Sequence, residues 1–83
     1  MIDIKVIGPG CMNCTRLEML CREVVKENNL KADVEKITDF NEFGKYGVML
    51  TPALVVNGNV LVQGKIPVKH TLTSWLIKAA NEK

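Results

Sequence analysis

The sequence predicts an α/β fold, a four-stranded mixed sheet with helices on both faces, its elements running β-α-β-α-β-β-α. Three observations predict it. Residues 2–7, "IDIKVI", alternate and are rich in β-branched side chains, and from Cys11 the apolar period lengthens to that of a helix. Two apolar runs flank Asn57 and Gly58, a pair whose tolerance of positive φ suits a two-residue hairpin turn. A third amphipathic segment closes the chain. Strands joined through a helix must pair in parallel by a right-handed crossover, whereas a hairpin pairs antiparallel, so the sheet is mixed.

The first strand places Ile2, Ile4 and Val6 on one face and Asp3, Lys5 and Ile7 on the other. Gly8, Pro9 and Gly10 then break it with a turn. From Cys11 to about Asn28, the residues Cys14, Leu17, Cys21, Val24 and Val25 form one apolar stripe. Glu18 and Arg22 face outward in the favourable i,i+4 order, and Asn28 and Asn29 end the helix. "ADVEKI", 32–37, alternates again as a second strand. Thr38 or Asp39 caps a short helix with Glu42 in its first turn and Phe40 and Phe43 facing inward; Gly44 weakens it and Gly47 ends it. The hairpin spans 51–64. Pro67 marks the start of the last helix, where Leu72, Trp75, Leu76 and Ala79 make an inward stripe to about Asn81.

With 83 residues the chain has room for a single domain, residues 1–83, and one modest core. Hydrophobic residues at 47% and charged residues at 24% are ordinary for a soluble domain. The formal net charge is +2 and the eleven Lys and Arg are scattered, which argues against nucleic acid or an anionic membrane as the main partner. The N-terminal residues show no secretion signal, and the longest apolar stretch, 47–56, contains Thr51 and Pro52 and is too short to cross a bilayer. A cytoplasmic protein acting as a monomer is expected.

Three cysteines, two of them tightly spaced, do not resemble a secreted disulfide scaffold. The stretch "GPGCMNCTRLE", 8–18, puts Cys11 and Cys14 three apart at a strand-to-helix hinge. Such a pair can exchange electrons as a dithiol, hold a soft metal ion, or pack as two small apolar residues. Cys11 falls at the start of the helix, where unpaired N–H groups and the dipole favour a thiolate, the nucleophile of disulfide exchange. Positions i and i+3 bring Cα atoms to roughly 5–6 Å, inside the disulfide range. The same placement points Cys14 into the apolar stripe. Cys21 lies about 10 Å further along the helix and reads as a small buried residue.

These residues resemble the thioredoxin/glutaredoxin superfamily, and within it the short branch of single-domain redox-active disulfide proteins. "GCMNC" after the first strand, "TP" before the third, the "VVNGNV" hairpin and "GKIP" before the last helix carry the resemblance over essentially the whole chain. It implies a thioredoxin-like fold and a thiol–disulfide oxidoreductase, an electron carrier without bound cofactor or metal. By the same resemblance Cys11 is the nucleophile and Cys14 the resolving thiol. Pro52 is a cis-proline facing them, and Thr51 presents its backbone to an extended substrate segment. Met12, Asn13, Thr51 and Pro52 would form the docking surface for protein disulfide substrates, with Met49 and Leu50 in the adjoining loop. A thioredoxin-reductase-type flavoprotein or equivalent would restore the dithiol.

The chain departs from the family pattern in several places. Met12 and Asn13 stand where thioredoxins carry Gly-Pro and glutaredoxins Pro-Tyr. No tryptophan precedes Cys11, no glutathione site is recognisable, and Lys5 falls where thioredoxins keep a buried acid. Two roles are open to Lys5: its ammonium lowers the pKa of Cys11, or its stem snorkels and its head reaches water.

The main rival is a soft-metal chaperone carrying copper on the C-x-x-C pair. Against it stand the helical segment and "TP" after the second strand, and Pro9 where such domains usually have a methionine. A zinc site would need Cys11, Cys14, Cys21 and His70, with Cys21 badly placed, and His70 reads as a surface residue. The third class is an interaction module with an incidental cysteine pair.

Overall fold

The computed structural model describes residues 1–10 and 12–81. Its elements are β1 (Ile2–Ile7), α1 (Met12–Glu27), β2 (Ala32–Ile37), α2 (Phe40–Phe43) continued by a 3-10 turn (Gly44–Tyr46), β3 (Ala53–Val56), β4 (Asn59–Gln63) and α3 (Lys69–Asn81). The four strands lie in the order β2-β1-β3-β4. β1 pairs parallel with β2 and antiparallel with β3, and β3 pairs antiparallel with β4. The mixed sheet expected from the connections is the one found.

The alternation in β1 divides the core. Ile2, Ile4 and Val6 meet Leu17, Cys21 and Val24 of α1 and Leu72, Leu76 and Ala79 of α3 on one face. Ile7 turns to the other face, where Phe43 and Val48 cover it together with Ala53 and Val55. β3 is central and its four residues are all buried, as a strand covered on both faces requires.

Local chemistry explains most boundaries. After α1, Asn29 adopts φ 52°, the Leu30 N–H donates to the Val25 carbonyl and the Asn29 N–H to that of Lys26, the paired bonds of a Schellman ending. Asp39, not Thr38, caps α2, its Oδ1 accepting the Asn41 N–H at 2.9 Å. Asn57 (φ 51°) and Gly58 (φ 85°) make the two-residue turn. Asn57 also ties the hairpin to β1, its Oδ1 accepting the Asp3 N–H and its N–H donating to the Asp3 carbonyl. The last helix begins at Lys69, two residues beyond Pro67, with the Val68 carbonyl accepting the Leu72 N–H.

One expectation needs correction, and one irregularity is new. Phe43 is buried, but Phe40 is 71% exposed and its ring leans on the outside of Phe43 with centroids 5.1 Å apart. A four-residue helix is one turn long, so its first side chain overhangs the sheet. The β3–β4 ladder also shifts register between Leu54 and Val55: Val60 opposes Val55, Val62 opposes Leu54, and Leu61 is left as the extra residue of a β-bulge. Alternation alone gave no sign of it.

The exposed faces of α1 and α3 are joined by Lys69, whose Nζ lies 2.7 Å from Glu23 Oε1 and 2.9 Å from Glu27 Oε2. Lys69 holds the Glu23 carboxyl below its ordinary value by donating to it. The link is thus present above the usual carboxylate range and weakens as pH falls through it. All three groups are solvated, so Lys69→Ala is expected to shift the urea midpoint only slightly and without a change of slope.

Candidate functional site

Gly10 turns the chain from β1 into α1 with φ 91°, a conformation L side chains rarely adopt. Cys11 lies outside the described residues; Met12, which follows it, opens α1. Met12 is 73% exposed and Asn13 is exposed, whereas Cys14 is completely buried. The helix therefore carries Met12 and Asn13 at the surface and Cys14 in the apolar stripe.

Gly8 shapes the floor of this site. It is buried, and its N–H donates to the Ile37 carbonyl at 2.9 Å, prolonging the β1–β2 ladder. A β-carbon built on Gly8 would land on Cys14 Sγ, 3.2 Å from Cys14 Cβ and 3.7 Å from Thr51 Cβ. Gly8, Cys14 and Thr51 thus converge on one point where only a hydrogen fits. By sequence Gly8 belongs to the turn with Pro9 and Gly10, and its buried role carries no local signal.

Thr51 is half-buried, Pro52 is buried, and the peptide bond between them is cis. Ahead of them the chain exposes Met49 (88%) and Leu50 (60%). Their N–H groups both donate to Gln63 Oε1, at 2.7 and 3.2 Å, and the Gly64 N–H donates to the Pro52 carbonyl at 2.8 Å.

Lys5 is engaged by two carboxylates. Its Nζ is 3.0 Å from both Asp3 Oδ1 and Glu35 Oε2, and hydrogen bonding to Glu35 and then Asp3 raises its pKa. Two carboxylates therefore share the Lys5 ammonium, and any effect of Lys5 on Cys11 falls outside the described residues.

Cys21 is a free, fully buried thiol whose pKa is pushed up to about 12 by burial, with a lesser contribution from Glu18. The unfolded chain loses this proton near pH 9 and the folded chain holds it, so stability falls between pH 9 and 12. Urea unfolding is expected to lose about 1 kcal/mol per pH unit more in wild type than in Cys21→Ala across that window. Equal slopes would place Cys21 in a wetter setting. His70 is exposed near the start of α3. Among the described residues no group of three or more His, Cys, Asp or Glu could hold a metal ion together, and no helix is long and apolar enough to cross a membrane.

A mixed sheet, a buried cysteine in the first turn of the first helix and a cis-proline before the central antiparallel strand define a class of thiol-bearing α/β domains. The family model described as "Thioredoxin domain" matches residues 2–77, and the chain belongs to that family. It is 35% identical over 76 residues to a thioredoxin of Methanothermobacter thermautotrophicus, covering 92% of this chain and 99% of that protein. It is 31% identical over 80 residues to a thioredoxin of Methanocaldococcus jannaschii, covering 92% of each.

Proposed function

We propose that the chain is a thioredoxin-like thiol–disulfide oxidoreductase in which Cys11 and Cys14 form the exchanging dithiol. The Cys11 thiolate attacks one sulfur of a target disulfide, making a mixed disulfide and expelling the first target thiolate. Cys14, once deprotonated, attacks the Cys11 sulfur, closes the disulfide between Cys11 and Cys14 and releases the second target thiolate. Two electrons pass from the dithiol to the target. A flavoprotein of the thioredoxin-reductase type, or an equivalent donor, returns them.

The observation that carries this reading is the burial of Cys14 against Gly8 and Thr51. A resolving thiol needs protection from outside disulfides while staying within reach of its partner. Met12, Asn13, Thr51 and Pro52, flanked by the exposed Met49 and Leu50, are the surface on which a protein disulfide would dock. Residues 1–83 would work as one unit, as a monomer in the cytoplasm, with no resident cofactor or metal. Copper carriage receives no support from the family match or from the two relatives.

The test sets insulin-disulfide reduction by the reduced protein against copper titration of the same sample. Insulin reduction, with only weak metal uptake, is expected; tight stoichiometric copper binding without disulfide reduction would overturn the proposal. The equilibrium potential of the dithiol would then say whether it is poised as donor or oxidant.

A further inference from the structure

Gln63 ends β4, opposite Ala53. Without the bulge at Leu61, the alternation from Val60 would turn residue 63 to the face of α1 and α3. The extra residue reverses it, and Gln63 shares the face of Ala53, under the chain that leads from Val48 to Pro52. There Gln63 Oε1 accepts the Met49 N–H at 2.7 Å and the Leu50 N–H at 3.2 Å. Both partners are donors, so the atom facing them is the carboxamide oxygen.

The next residue completes the hold. The Gly64 N–H donates to the Pro52 carbonyl at 2.8 Å, and a β-carbon on Gly64 would lie 3.3 Å from Leu50 Cβ and Cδ1. Gln63 and Gly64 together fix three backbone groups of the segment 49–52 to the end of the sheet. Among the described residues only Gln63 reaches the first two with a side chain. Loops with exposed apolar tips ordinarily fluctuate, and ordering them on contact with a partner lowers affinity.

We infer that Gln63 is a positioning residue for protein-disulfide docking: by clamping the Met49 and Leu50 amides it holds two exposed apolar side chains in place directly ahead of Thr51 and Pro52. This rests on the oxidoreductase reading. A small disulfide needs no such surface, so the clamp discriminates in favour of protein substrates.

The experiment compares rate constants of the reduced protein with insulin and with 5,5′-dithiobis(2-nitrobenzoate), together with amide exchange at Met49 and Leu50. Gln63→Leu is expected to slow the insulin reaction about tenfold and to speed exchange at both amides, with the small disulfide changed less than about twofold. Gln63→Glu keeps an oxygen acceptor of the same reach and is expected to restore the wild-type pattern. An insulin rate unchanged in Gln63→Leu, or both disulfides slowed equally, overturns the inference. If Gln63→Leu does not fold, Gln63→Met takes its place. Wild-type Met49 and Leu50 amides exchanging as fast as freely solvated ones would overturn the clamp without any variant. Wild-type protein inert toward both disulfides would instead overturn the oxidoreductase reading and remove the ground of this inference, a result distinct from any specific to Gln63.

Discussion

Replacing Cys11 by serine is expected to lower the rate of insulin reduction by at least about four orders of magnitude, as removal of a covalent nucleophile does. A serine hydroxyl is not ionised at neutral pH and forms no bond with sulfur that a second thiol could displace. The urea midpoint should stay within about 0.5 kcal/mol of wild type, since serine differs from cysteine only in the exchange of sulfur for oxygen. Cys14→Ser makes the complementary experiment. It retains the attacking thiol and lacks the resolving one, so a covalent adduct with the substrate should accumulate through Cys11 and dissolve on adding dithiothreitol. Wild-type rates in Cys11→Ser, or no adduct in Cys14→Ser, would remove the two-step exchange.

Gly8→Ala is expected to have the largest effect of any single methyl group added to the chain. The new carbon would overlap Cys14 Sγ and press on Thr51, between a buried glycine and a buried cysteine. Gly8 is not among the positive-φ glycines, so the penalty is steric rather than conformational. Overpacking of this kind costs about 1–3 kcal/mol, which urea unfolding would resolve. The same displacement should move the Cys14 thiol and slow release of the mixed disulfide. A Gly8→Ala protein as stable and as fast as wild type would show that Cys14 does not pack where it is placed.

What the sequence made legible follows from which interactions are local. The strand-to-helix change at Gly10, the asparagine ending of α1 and the turn at Asn57 and Gly58 each depend on residues within a few positions of one another, and each was readable, while the cap of α2 was readable only as Thr38 or Asp39. Cys14 was readable as buried because helical period fixes a face. Gly8, Gln63 and Lys5 were not readable in the same way. Gly8 is required by a side chain six residues away in sequence across a turn, Gln63 by a loop more than ten residues earlier, and Lys5 by Glu35 on the neighbouring strand. Phe40 failed for a different reason: its period was right, but the helix was too short to carry it inward.

The bulge at Leu61 has an effect beyond the aim of one carboxamide. β4 and β2 are the open borders of the sheet, and an unbroken border is a template on which another chain can add a strand. β2 is guarded by Asp33, Glu35 and Lys36, whose charges would have to be stripped of water in any such union. β4 has no charged residue along its length, and its kinked ladder takes over that duty by offering a newcomer a mismatched row of donors and acceptors. Deleting Leu61 would straighten that border, and the expected penalty is self-association at high concentration.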